Sequence, residues 1–119
     1  MNYQKASEVT EMMIQDWQDK FKTKVRIIEV PIVVDEVPTG EKAKFFIRKP
    51  DRTLLDQLSK HYADREYGKA NSVTVKNCVL GGDMIYLAPE SEGGNDDIFS
   101  AVLNAVAELV EKKKATFLN

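Results

Sequence analysis

The stretch Val25–Lys49, VRIIEVPIVVDEVPTGEKAKFFIRK, decides the fold. Its first half is dominated by β-branched residues, and Ile28, Val30, Ile32 and Val34 recur at period two, the pattern of a strand. Pro31 removes a ladder donor, which predicts a sheet edge or a break there. Pro38 and Gly40 in DEVPTGE predict the turn. KAKFFIRK then sets Ala43, Phe45 and Ile47 on one face, with Lys42, Lys44, Phe46 and Arg48 on the other. The two segments read as an antiparallel hairpin. A lone hairpin is marginal in water, so helices or another chain must cover its apolar face.

The flanking sequence supplies those helices. Upstream, SEVTEMMIQDWQDKF places Val9, Met12, Met13, Trp17 and Phe21 on one helical stripe, with Ser7 as the expected N-cap. Downstream, Pro50 suits a first helical turn and Asp51 favours the positive end of the dipole, while Leu54, Leu55, Leu58 and Tyr62 mark the buried face. Gly68 is expected to end or kink this helix. The segment Lys69–Leu80 carries both periods: Val73 and Val75 alternate like a strand, whereas Ala70, Val73, Asn77 and Leu80 share a helical face. A helix is the preferred reading, capped at Asn71 or Ser72 and stopped by Gly81-Gly82. DMIYLAPESEGGNDD then reads as a mobile acidic loop. In the last helix Asn95 is the cap, Asp96 and Asp97 fill the first turn, and Ile98, Phe99, Val102, Leu103, Val106, Leu109 and Val110 form a broad stripe. Lys112, Lys113 and Lys114 follow at its negative end.

The fold class that follows is α+β. A short antiparallel hairpin or sheet packs against three or four helices in a single domain over residues 1–119, with the N-terminal helix and hairpin in 7–48 and the helical region in 50–118. Association of copies through the hairpin edge or an apolar helix face is expected.

A chain of 119 residues with 43% hydrophobic and 30% charged side chains can bury one core without disulfides or metals. Seventeen basic against nineteen acidic residues leave a net charge of -2, so no overall basic field draws it to nucleic acid or anionic lipid. One cysteine fits a reducing compartment, and the N-terminus lacks a signal-peptide core; a cytoplasmic protein without a membrane span is expected.

Chemistry-bearing residues are sparse. Cys78 could act as a nucleophile with His61 as base, but its neighbours Val79 and Leu80 are apolar, and a small buried residue is the better reading. One cysteine and one histidine do not make a zinc site, the acidic runs lack the spacing of an EF-hand, and GGD is too short for a phosphate-binding fingerprint. No catalytic, cofactor or metal residue is therefore assigned. Lys42, Lys44, Arg48, Lys49 and Arg52 cluster around Phe45 and Phe46, as a surface for single-stranded nucleic acid would. Net negative charge disfavours that partner.

Three pieces in order, FFIRKPDRTLLDQL, KANSVTVKNCVLGGD and DDIFSAVLNAVAELVEKKKATF, resemble a family of small tail assembly chaperones from tailed bacteriophages and prophages, from about Phe45 to Phe117. The resemblance implies a non-enzymatic, cofactor-free protein that holds a tape-measure protein in the host cytoplasm while the tail assembles. The matching positions are Pro50, Arg52, Asn77, Cys78, Gly82, Asp83, Phe99, Lys114 and Ala115. Of these, Pro50, Arg52, Asn77, Gly82, Asp83, Phe99 and Lys114 are the candidate partner-binding residues. The first 40 residues depart from the family. That leaves open a virion structural protein, or a small regulatory or nucleic-acid-binding module using Lys42–Arg52.

Overall fold

A computed structural model describes residues 2–110 and 118. Its elements run α1 (Glu11–Phe21), β1 (Arg26–Val34), β2 (Val37–Ile47), α2 (Arg52–Ala63), α3 (Tyr67–Cys78), β3 (Val79–Gly82) and α4 (Asp96–Glu108). The three strands form one antiparallel sheet in the order β1-β2-β3, so the fold is α+β. Alternation along β2 divides the molecule into layers. Ala43, Phe45 and Ile47 are fully buried in the core with Leu54, Leu58, Ala70, Val75 and Cys78 of the α2–α3 pair and with Ile98, Val102 and Val106 of α4. On the opposite face, Phe46 meets Trp17 of α1 at a ring separation of 6.3 Å. Burying a side chain the size of Phe45 contributes on the order of 2–3 kcal/mol, so Phe45→Ala would empty the centre of the core.

The hairpin forms where its composition places it, with β1 at the sheet edge and a register irregularity between Pro31 and Val33. Its turn is not at Pro38 and Gly40, which lie inside β2. Asp35 and Glu36 turn instead, both at positive φ (49° and 65°), as a two-residue hairpin requires.

Helix ends also move. Thr10, not Ser7, caps α1, its hydroxyl accepting from Met13 N at 3.2 Å; Ser7 sits in a 3-10 turn, Ala6–Glu8. Asp51 caps α2, accepting from Leu54 N at 2.8 Å, with Pro50 just outside the helix. That helix closes well before Gly68. Arg65 takes φ 60°, Glu66 N donates to the His61 carbonyl and Arg65 N to that of Tyr62, the paired bonds of a left-handed helix end. The chain then re-enters a helix at Tyr67, leaving Asn71 and Ser72 in its interior.

The largest departure is at Gly81-Gly82. These residues do not stop a helix; they complete β3, where Phe45 pairs with Gly82 and Phe46 with Gly81. A Cβ on Gly81 would lie 2.6 Å from Gln4 Oε1 and 2.9 Å from a Trp17 ring carbon. One on Gly82, at φ 134°, would strike the backbone of Lys44 and Phe45. The glycines are there because three segments converge on that strand. The acidic segment beyond them is built of 3-10 turns at Met84–Leu87 and Glu90–Glu92. Asn95 N donates to the Tyr86 carbonyl at 2.9 Å, and Met84, Tyr86 and Leu87 pack on the core where a loose loop was expected. Asn95 does cap α4, accepting from Ile98 N at 3.1 Å.

Candidate partner-binding surface

Asp83 is the best-connected of the candidate residues. Its Oδ1 accepts from Ala6 N and its Oδ2 from Lys44 N, both at 2.9 Å, while its own N–H donates to the Lys44 carbonyl at 2.9 Å. Gln4 completes the clasp: its side-chain Oε1 accepts from Gly82 N at 3.0 Å and its carbonyl from Met84 N at 3.1 Å. The N-terminal segment is thus laid along the outer edge of β3. Both carboxylate oxygens of Asp83 are engaged within the chain, and Gly82 is buried beneath it.

Asn77 sits in the last turn of α3, before β3, with its side-chain amide nitrogen donating to the Val73 carbonyl of its own helix at 2.8 Å. The Asn77 carbonyl accepts from Arg48 Nε at 3.0 Å. Arg48 belongs to the interior: its guanidinium stacks 4.1 Å from the Phe21 ring centroid, lies 3.7 Å from Asp51, and its backbone N–H donates to the Cys78 carbonyl. The basic cluster is correspondingly divided. Lys42 pairs with Glu29 at 3.8 Å and Lys44 lies over Phe46, while Arg48 is turned away from solvent.

Cys78 is fully buried, and burial pushes its thiol up to about 11 against the lowering pull of Arg48. Such a thiol is protonated at neutral pH and is a poor nucleophile. His61 faces Glu66 at 3.6 Å. Among the acidic residues, the Glu90 carboxyl is raised, first by its hydrogen bond with Asp96 and then by that neighbour's charge. Among the described residues no group of three His, Cys, Asp or Glu side chains gathers to hold a metal ion. No helix there is long and apolar enough to cross a membrane.

Pro50 and Phe99 lie at two separate hollows. Phe99 lines an open one of about 620 Å³ with Val75, Lys76, Met84 and Leu87. Pro50 lines the other, a groove of about 400 Å³ between the α2–α3 pair and α4, floored by Leu58 and Val106 and walled by Leu55, Tyr62 and Leu103. Arg52 is exposed at the start of α2. The structure therefore brings Asn77, Gly82 and Asp83 to the two ends of β3 and leaves Pro50, Arg52 and Phe99 apart. Lys112 to Lys114, Ala115 and Phe117 lie outside the described residues.

The groove was not singled out from sequence, although a signal for it exists. The apolar stripe of α2 is wider than the helix buries: Leu54 and Leu58 go inside, while Leu55 and Tyr62 stay 38% and 46% exposed. Comparison of this chain with protein-family models, with curated proteins and with solved structures finds no match.

Proposed function

We propose that this protein is a non-enzymatic binding protein of the phage or prophage tail assembly chaperone kind, which holds an apolar helix of a tape-measure protein in the host cytoplasm during tail assembly. The groove of about 400 Å³ beside Leu55, Tyr62 and Leu103 carries the reading. Its apolar walls and its polar rim of Ser59, Asn71 and Asn104 suit the apolar face of an amphipathic helix, which anchors by side chains three and four positions apart. A holdase needs apolar surface that is accessible without unfolding. Leu55 and Tyr62 provide it.

The test is a search of the genome neighbourhood for a tape-measure gene, co-expression with it, and then affinity capture and a solubility assay. Capture of the tape-measure protein, lost in Leu55→Glu/Tyr62→Glu with the circular dichroism spectrum unchanged, is the expected result. A genome neighbourhood without such a gene, or capture that the double variant leaves intact, removes the reading.

A further inference from the structure

Among the described residues no strand pairs with the outer edge of β1, and the register fixes which of its backbone groups face that side. Lys44 directs both its backbone N–H and its carbonyl to Asp83, on the β3 side. Its partner across the hairpin is Glu29, so that pair is not hydrogen-bonded and the Glu29 N–H and carbonyl point away from β2. Ile27 and Pro31 follow by alternation, and the Ile32 carbonyl, accepting from the Thr39 hydroxyl at 2.8 Å, faces β2 as an even-numbered residue should. The Asp35-Glu36 turn closes on the bonded pair Val34 and Val37, which aims the Val33 groups outward too. The missing donor of Pro31 therefore costs the hairpin nothing.

We infer that this edge pairs with the same edge of a second copy of the chain, antiparallel and centred on Val30, joining two sheets into one of six strands. Arg26–Val34 extends equally to either side of Val30, with β-branched Ile27 and Val33, and Ile28 and Ile32, at matching distances from it. The register sets Ile27 opposite Val33 of the second copy, Ile28 opposite Ile32, Arg26 opposite Val34 and Glu29 opposite Pro31. No two like charges face each other directly, and Glu29 is already paired with Lys42 of its own chain. Ile27, Val33 and Val34, exposed at 54%, 43% and 54%, acquire cross-strand neighbours. The occupant is a second copy because this register pairs the strand with itself without opposing like charges, and among the described residues the sheet offers only this edge. Along β3 the Gly82 and Met84 N–H groups are taken by Gln4, so head-to-tail stacking is blocked and association closes at two. Pro31, which removes one donor per chain, weakens the pair without preventing it.

The test is sedimentation velocity of the full chain from about 10 μM to about 1 mM. A reversible dimer is expected. Ile27→Lys should weaken it at least tenfold with the circular dichroism spectrum unchanged, because that side chain is exposed in the single chain. Pro31→Val restores two donors per dimer and should tighten it about tenfold. Val30→Cys places two thiols across the two-fold axis in a non-hydrogen-bonded pair, and mild oxidation should link them far faster than in Glu29→Cys. A native chain and a Pro31→Val variant that both remain monomeric throughout, a dimer indifferent to Ile27→Lys, or equal linking of Val30→Cys and Glu29→Cys overturns the inference.

Discussion

Gly81 and Gly82 are adjacent in sequence and paired in the same strand, yet they are constrained differently. At Gly82 an added Cβ meets backbone, which has nowhere to go, and φ 134° adds strain, so Gly82→Ala should cost about 3–5 kcal/mol in urea denaturation. At Gly81 the first obstacles are the ends of the Gln4 and Trp17 side chains, so Gly81→Ala should cost about 1–2 kcal/mol, through a displaced N-terminal segment. A smaller effect at Gly82 than at Gly81 would refute this ordering. Asp83 engages both oxygens with backbone N–H groups. Asp83→Ala should therefore lose about 2–3 kcal/mol and Asp83→Asn, which keeps one acceptor, roughly half of that. Cys78 carries a pH signature. Its thiol is raised to about 11 in the folded chain from an ordinary 9.0, so the folded state holds the proton more tightly. That contribution is complete below about pH 9 and is lost as pH climbs towards 11, on the order of 2–3 kcal/mol. Chemical denaturation of the native chain and of Cys78→Ala across that window should show the steeper alkaline decline only in the native chain.

Among the elements, legibility follows how locally each is determined. The terminal helix α4 was readable because its cap, its acidic first turn and its stripe agree with one another, and Ile98, Val102 and Val106 are buried as that stripe requires. The hairpin was readable from β-branched alternation. Its turn was misplaced because Pro38 and Gly40 are stronger turn formers than Asp35-Glu36, whose left-handed backbone is imposed by the pairing of the two strands. The strand β3 could not be read at all. VLGG has little strand propensity of its own; it is a strand because β2 needs a second neighbour and Asp83 fastens it there. The same reasoning limits the site: Pro50, Arg52, Asn77, Gly82, Asp83 and Phe99 were picked out by their order along the chain and stand at several separate places, whereas the groove draws on α2, α3 and α4 together. Asn95→Ala isolates a locally determined contribution, since its side chain satisfies only Ile98 N. It should destabilise by about 1 kcal/mol in urea denaturation, and an effect as large as that of Gly82→Ala would show that the cap does more than close its helix.

On the scale of the molecule, the N-terminal twenty residues form the outer layer, and they are attached differently from the rest. The helix α1 contains no fully buried residue, and its anchors are Trp17 over Phe46 and Phe21 against Arg48. The segment before it is held by the bonds to Gln4 and Asp83. The core behind the sheet, by contrast, closes Phe45, Ile47, Ile98, Val102 and Val106 from solvent completely or nearly so. Layers with such unequal burial open at unequal cost. Native-state hydrogen exchange should therefore divide the sheet across its width. The amides of Gly82 and Met84, covered only by Gln4, should exchange through a local opening that detaches the N-terminal layer, with weak dependence on denaturant. The Arg48 amide, bonded to the Cys78 carbonyl behind the same strand, should exchange only with global unfolding. Gln4→Ala should accelerate exchange at Gly82 and Met84 while leaving Arg48 unchanged. Equal protection of all three amides would mean that the outer layer is cooperative with the core, and that Trp17 and Phe21 contribute far more than their partial burial indicates.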